Sequence, residues 1–180
     1  MGQSWQVVIG GEGGQGLVVA GVLLGEAALR DGKQAAQTAS YGIASRGGFT
    51  KSEVVVDDYE IQYPAVDKPN LVLVLTEEAL QKYYGKIPED CIMIYDNSFV
   101  EGKYEGDNLL GLPLAKKVRE EKMENNVNLP LNVVSLGAML EKSGIVSRDA
   151  LEQVLVNRFA KKADLNKKAV EIGTNLVKES

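Results

Sequence analysis

Apolar positions fall into short continuous runs in the first half of the chain and into helical spacings toward its C-terminal end. Val7-Val8-Ile9 is an apolar run closed by glycines, which predicts a buried first strand. Over residues 15–29 the spacing turns helical: Leu17, Ala20, Val22, Leu24, Ala27 and Ala28 form a broad apolar surface, and Asp31-Gly32 ends it. Residues 34–38 predict a second strand, although alanine is a poor strand former. Residues 52–56 and 60–63 predict two strands joined at Asp57-Asp58-Tyr59 as a hairpin. Leu71-Val72-Leu73-Val74-Leu75 is a continuous run of the kind that parallel sheets bury on both faces.

Thr76 stands as the cap of the next helix, with Glu77 and Glu78 in its first turn, where the helix dipole favours anions. Residues 91–95 predict another buried strand, ending at Asp96-Asn97. Residues 100–112 are broken by glycines and give no assignment. Pro113 opens a helix through residue 123, and Pro130 precedes one over residues 131–142, stopped by Gly144. Ser147 caps residues 148–161, and Asp164 caps a last helix to about residue 178. Strands alternating with helices, then a helical C-terminal third, imply an α/β sandwich with a mostly parallel sheet and one antiparallel hairpin. No repeat, linker or low-complexity block divides residues 1–180, so one domain is expected.

Composition narrows the chemistry. Lysine and arginine number 20 against 25 acids, a net charge of −5, which argues against a nucleic-acid partner. There is no histidine, which excludes imidazole-based catalytic units and metal ligands. The single cysteine, Cys91, cannot hold an iron–sulfur cluster or form a redox pair. Ile92-Met93-Ile94 follows it, so a buried strand thiol is expected ahead of a lone nucleophile. The longest uncharged, weakly polar run, residues 13–25, is shorter than the roughly 20 apolar residues of a membrane span. The N-terminus lacks the basic start of a secretory signal and has Gln6 where a myristoylation signal wants Ser or Thr, so the expected location is the cytoplasm. Glycine stands out, at 19 residues against a usual share of about 7%. Much of that excess lies in the first 50 residues.

Gly11-Glu12-Gly13-Gly14-Gln15-Gly16 fits GxGxxG between a predicted strand and a predicted helix. There the glycines permit a tight turn, and the helix's free amides face an anion. The alternative is a turn that only packs the helix on the sheet. A dinucleotide site would place an acid about 20 residues on, yet residues 34–40 contain none. Leu17 and Val18 stand where a nucleotide triphosphate loop needs lysine and a hydroxyl. A loop for phosphate, or for another protein, remains.

A second constellation, Ser40-Tyr41-Gly42 with Arg46-Gly47-Gly48, begins where the second strand should end, at the same carboxyl edge of the sheet. A guanidinium beside two flexible glycines can grip a phosphate or carboxylate bidentately; a plain surface arginine and a packing Tyr41 are the other readings. Charges at Lys116, Lys117 and residues 119–122 read as solvated helix faces. Asp57, Asp58 and Glu60 read as hairpin solvation, since their spacing matches no metal loop.

Together, residues 9–16, Ser40-Tyr41-Gly42 and Arg46-Gly47-Gly48 resemble the gamma subunit of 2-oxoacid:ferredoxin (acceptor) oxidoreductases. The hairpin of residues 52–63, the Pro69-Asn70 lead into residues 71–75, Tyr95-Asp96, and Asn166, Ala169 and Gly173 on one helix face continue the likeness. It is similar to the 2-oxoglutarate branch more than the pyruvate branch, whose gamma chains carry a basic pair where Glu12 stands. The resemblance implies a Rossmann-like three-layer sandwich in a complex that decarboxylates a 2-oxoacid with coenzyme A, reducing ferredoxin or another low-potential acceptor. It further implies thiamine diphosphate with Mg2+ between alpha and beta subunits, and iron–sulfur clusters on beta or delta chains. This chain then holds none of those groups itself, and alone is inactive. The implied contacts with coenzyme A or with a partner subunit are Gly11, Gly13, Gly14, Gln15, Gly16, Ser40, Tyr41, Arg46, Gly47 and Gly48. An independent nucleotide-binding enzyme and a purely structural subunit are the rival readings.

Overall fold

The computed structural model describes residues 4–41 and 48–180. Along the chain run β1 (Trp5–Glu12), α1 (Leu17–Arg30), β2 (Gln34–Tyr41), β3 (Phe49–Asp57), β4 (Leu71–Val74) and α2 (Glu77–Tyr83). There follow β5 (Ile92–Asp96), β6 (Leu109–Leu112), α3 (Leu114–Asn125), α4 (Leu131–Ser143), α5 (Arg148–Arg158), a 3-10 turn (Ala160–Lys162) and α6 (Ala163–Lys178). The strands lie in the order β2-β3-β1-β4-β5-β6. β1, β4, β5 and β6 pair in parallel, while β3 runs antiparallel to both its neighbours.

Alternation along the strands sorts the core into two layers. Val7, Ile9, Leu71, Leu73 and Ile94 face one side, under α1, α4, α5 and α6. Val8, Val72, Val74 and Met93 face the other, covered by Ala79 and Leu80 of α2 and by flanking loops. The expected three-layer α/β sandwich is therefore present, with one thick and one thin outer layer.

Several expectations need correcting. No hairpin forms at Asp57-Asp58-Tyr59: both edges of β3 are already taken, by β1 and β2, so residues 60–63 have no strand to pair with. The Asp57 carboxylate instead accepts the Tyr59 amide at 2.8 Å, turning the chain out of the sheet. The sheet's hairpin is β2–β3. β2 outlasts its alanines because Gln37 ties it inward, donating to the Val18 carbonyl at 3.1 Å and to Ser52 Oγ at 2.8 Å. The unassigned stretch ends in β6, an edge strand beside β5.

α5 stops at Arg158, and the 3-10 turn runs straight into α6. Lys162 thus holds the cap position, and Asp164 lies in the first turn, where its charge still suits the dipole. Glu121 is not solvated either. It is 8% exposed and accepts from Lys168 Nζ at 2.8 Å and Asn125 Nδ2 at 3.1 Å.

α4 and α6 run parallel in close contact: Thr174 reaches the Gly137 carbonyl, and Lys178 lies 3.9 Å from Glu141. A Cβ at Gly137 would collide with the Val170 backbone, and one at Gly173 with the Val134 carbonyl. Glycine at both positions is what lets the helices touch. No helix among the described residues is long and apolar enough to cross a membrane.

Candidate binding edge at the glycine loops

β1 and β2 point the same way, so their carboxyl ends lie at one edge of the sheet with β3 between them. Gly11 and Tyr41 both stand opposite Thr50, placing their backbones two strand spacings apart, about 10 Å. Beyond Glu12 and Phe49 the ladder gains one more rung, where the Gly13 amide donates to the Gly48 carbonyl at 3.2 Å. The loop after β1 and the end of the β2–β3 connection are thereby joined.

The turn itself is built by two residues in the left-handed region, Gly14 at φ 99 and Gly16 at φ 78. Between them the Gln15 amide donates to the Glu12 carbonyl at 3.2 Å. The Gln15 side chain works inside the protein. Its Oε1 accepts the Glu12 amide at 2.8 Å, and its Nε2 donates to the Leu75 carbonyl at 3.4 Å. Leu75 in turn donates its amide to Gly10 at 2.9 Å, so the ends of β1 and β4 share one network.

α1 starts at Gly16 with no side-chain cap and no acid in its first turn. Gly13 and Gly14 are exposed, and a Cβ at Gly14 would meet nothing within 4 Å. An uncapped helix start behind an open glycine turn presents amide donors to an anion.

The structure thus brings Gly11, Gly13, Gly14, Gln15 and Gly16 to the same edge as Ser40, Tyr41 and Gly48. Arg46 and Gly47, and Gly42 with them, lie outside the described residues. Two residues of the edge went unread in the sequence. Thr50, 6% exposed, donates to the Gly48 carbonyl at 3.4 Å. Asn132 of α4 donates to the Gly16 carbonyl at 3.2 Å. Asn132 does follow the helix-opening Pro130 by two, but nothing local shows that it reaches the glycine turn.

Other polar groups along the carboxyl edge are spent on the scaffold. Asp96, 5% exposed, accepts the amides of Ala115 and Ser98, each at 3.0 Å, and so starts α3. Glu77 is held below its ordinary pKa first by the Gly102 amide and then by the Glu101 amide, against an opposing effect of burial that outweighs the further hydrogen bond from the Tyr104 hydroxyl. At the opposite end of the sheet, just before β5, Cys91 is 3% exposed, and burial first, then the charge of Asp90, pushes its thiol up to about 12. A thiol so protonated is no nucleophile at neutral pH. Among the described residues, no group of three His, Cys, Asp or Glu converges to hold a metal ion.

Residues 6–176 match the pyruvate ferredoxin/flavodoxin oxidoreductase family. The chain belongs to that family. Within it, the chain is 37% identical over 162 residues to the 2-oxoglutarate synthase subunit KorC of Methanocaldococcus jannaschii, covering 87% of this chain and 84% of that one. It is also similar to the gamma subunit of a keto/oxoacid ferredoxin oxidoreductase from Geobacter sulfurreducens PCA, with a TM-score of 0.81, 33% identity and 98% of each chain covered. A third likeness is to a 2-oxoglutarate:ferredoxin oxidoreductase from Magnetococcus marinus, solved with 2-oxoglutarate, coenzyme A and succinyl-CoA bound. There the TM-score is 0.85 over 99% of this chain but only 32% of that one, and at 22% identity the match shows the fold alone. The family resemblance carried by the two glycine loops therefore holds, and so does the fold it implied.

Proposed function

We propose that this chain is the gamma subunit of a multisubunit 2-oxoglutarate:ferredoxin oxidoreductase, forming one gamma-type domain over residues 1–180. The complex oxidatively decarboxylates the 2-oxoacid with coenzyme A to an acyl-CoA and CO2, passing electrons to ferredoxin or another low-potential acceptor. The observation that carries this reading is end-to-end likeness to separately encoded subunits, rather than to a fragment of one.

The residues present do not fit the iron–sulfur clusters of such an enzyme. Its one thiol is buried and protonated, and the chain has no histidine. Thiamine diphosphate, Mg2+ and the clusters then belong to alpha, beta or delta partners, and this chain's task is binding and closure. The open amides at Gly14 and Gly16, beside Gly13, Ser40, Tyr41 and Gly48 at the same edge, suit a phosphate-bearing ligand such as coenzyme A, for which Arg46-Gly47 of the second motif supplies a guanidinium. Gly11 and Gln15 shape that turn from beneath.

Purification from native cells, mass identification of co-purifying chains and an anaerobic assay over several 2-oxoacids test the assignment. The expected result is co-purification with alpha and beta chains and highest turnover on 2-oxoglutarate. Arg46→Ala in the reconstituted complex tests the edge. A raised Michaelis constant for coenzyme A with intact assembly supports ligand contact; an unchanged constant with intact assembly refutes it.

A further inference from the structure

On the helical side of the sheet, the starts of α1, α4 and α6 surround a cavity of about 200 Å3. Asn128, Asn132, Lys162 and Asn166 line its polar part, and Val19 and Leu165 stand in its apolar wall. Asn166 decides what the cavity is for. It is 3% exposed, yet among the described residues its side-chain amide finds no hydrogen-bond partner. Among the described residues, Trp5 Nε1 is the one fully enclosed side-chain polar atom without a partner. The Asn166 amide is therefore not sealed in the core; it opens onto the cavity that it lines. A buried amide left without a partner is costly unless a ligand or water satisfies it.

The sign of the site is positive. Lys162 has no ion pair among the described residues, and no acidic side chain lines the cavity. α4 starts at Pro130 without a side-chain cap, which adds the donor end of that helix, whereas α6 runs on from the 3-10 turn and its Ala163 amide already donates to the Ala160 carbonyl. Asp164, in the first turn of α6, lies outside the lining. Donors at one end and branched aliphatic groups at the other fit an amphipathic anion.

We propose that this cavity binds a small aliphatic carboxylate, its carboxylate on Asn166 and Lys162 and its alkyl tail against Val19 and Leu165. The site is separate from the glycine edge and does not rest on the subunit assignment. It is nonetheless joined to that edge, because Asn132 lines the cavity and donates to the Gly16 carbonyl at 3.2 Å. Occupancy is thus felt at the glycine turn.

Titration of the 15N-labelled full chain by NMR, with isovalerate, 3-methyl-2-oxobutanoate and acetate as probes, tests the proposal. Isovalerate should shift an asparagine side-chain amide and the backbone signals around Gly16 saturably, and should bind about tenfold or more tightly than acetate. Asn166→Leu should weaken it by about tenfold, and so should Lys162→Gln, an exposed substitution that leaves the fold intact and carries the test if the first variant unfolds. Tighter binding of the 2-oxo probe would identify a 2-oxoacid as the source, and equal binding a general aliphatic carboxylate; both support the site. Isovalerate binding no better than acetate, or binding unchanged by Lys162→Gln, overturns it.

Discussion

The Gly13 amide donates to the Gly48 carbonyl at 3.2 Å, one rung beyond the pairing of Glu12 with Phe49. That bond makes the two glycine-bearing segments one edge rather than two neighbouring loops. It exists because β3 returns between β2 and β1, which places the end of the β2–β3 connection directly against the turn after β1.

The two left-handed glycines of that turn should differ in their tolerance of a side chain. Gly14→Ala meets open space, so only backbone strain counts, about 1 kcal/mol. Gly16→Ala adds a Cβ 2.7 Å from Asn132 Nδ2, which must give way, and should cost about 1 kcal/mol more. Urea unfolding of both variants checks this. Equal losses would show that Asn132 does not hold the turn.

Gly173→Ala should be among the most damaging single-methyl additions, since the new atom meets backbone that cannot rotate away. A loss of about 3 kcal/mol is expected, at the upper end of overpacking costs. Thermal unfolding reads the loss, and hydrogen exchange should show α6 losing protection first.

Cys91 should resist alkylation in the native protein at pH 8, because its thiol is buried and pushed up to about 12. Labelling should follow denaturation only. Fast native labelling would contradict the buried position in the core beside Val72 and Met93.

Acid should weaken the α3–α6 contact. The Lys168 ammonium, with a further hydrogen bond from Asn125, holds Glu121 below its ordinary value of 4.5 against the opposing effect of burial. A depressed acid stabilises the fold above its unfolded pKa, and that contribution is lost as pH falls through the folded value. Melting temperature should therefore drop below pH 4.5 more steeply in the native protein than in Glu121→Gln, by roughly 2 °C given the exposure of Lys168.

Most elements were legible from local chemistry. Leu71-Val72-Leu73-Val74 could only be a doubly buried strand, and Thr76 and Ser147 do cap their helices, accepting the Ala79 amide at 3.2 Å and the Ala150 amide at 3.1 Å. The glycine loops were legible as motifs, and their shared sheet edge followed from strand order. What failed was partner choice. Asp57-Asp58 has good turn chemistry, but whether a strand follows depends on a free edge of β3, and that edge belongs to β1. β6, only four residues long between Gly106 and Pro113, acquires its identity from β5 beside it. Glu121 looked like its charged neighbours until α6 brought Lys168 across, and Asn132 until α4 docked on the start of α1. In each case the missing information lay in a contact distant along the chain.

As the non-redox subunit proposed above, this chain should be needed for turnover of the complex and yet carry none of its own. Anaerobic, coenzyme A-dependent reduction of an acceptor by 2-oxoglutarate, measured for the chain alone and for the reconstituted complex with and without it, tests this most directly. The expected result is no turnover by the isolated chain, which is colourless, and activity of the complex only when the chain is present. Turnover by the chain alone, or full activity of a complex lacking it, would overturn this role.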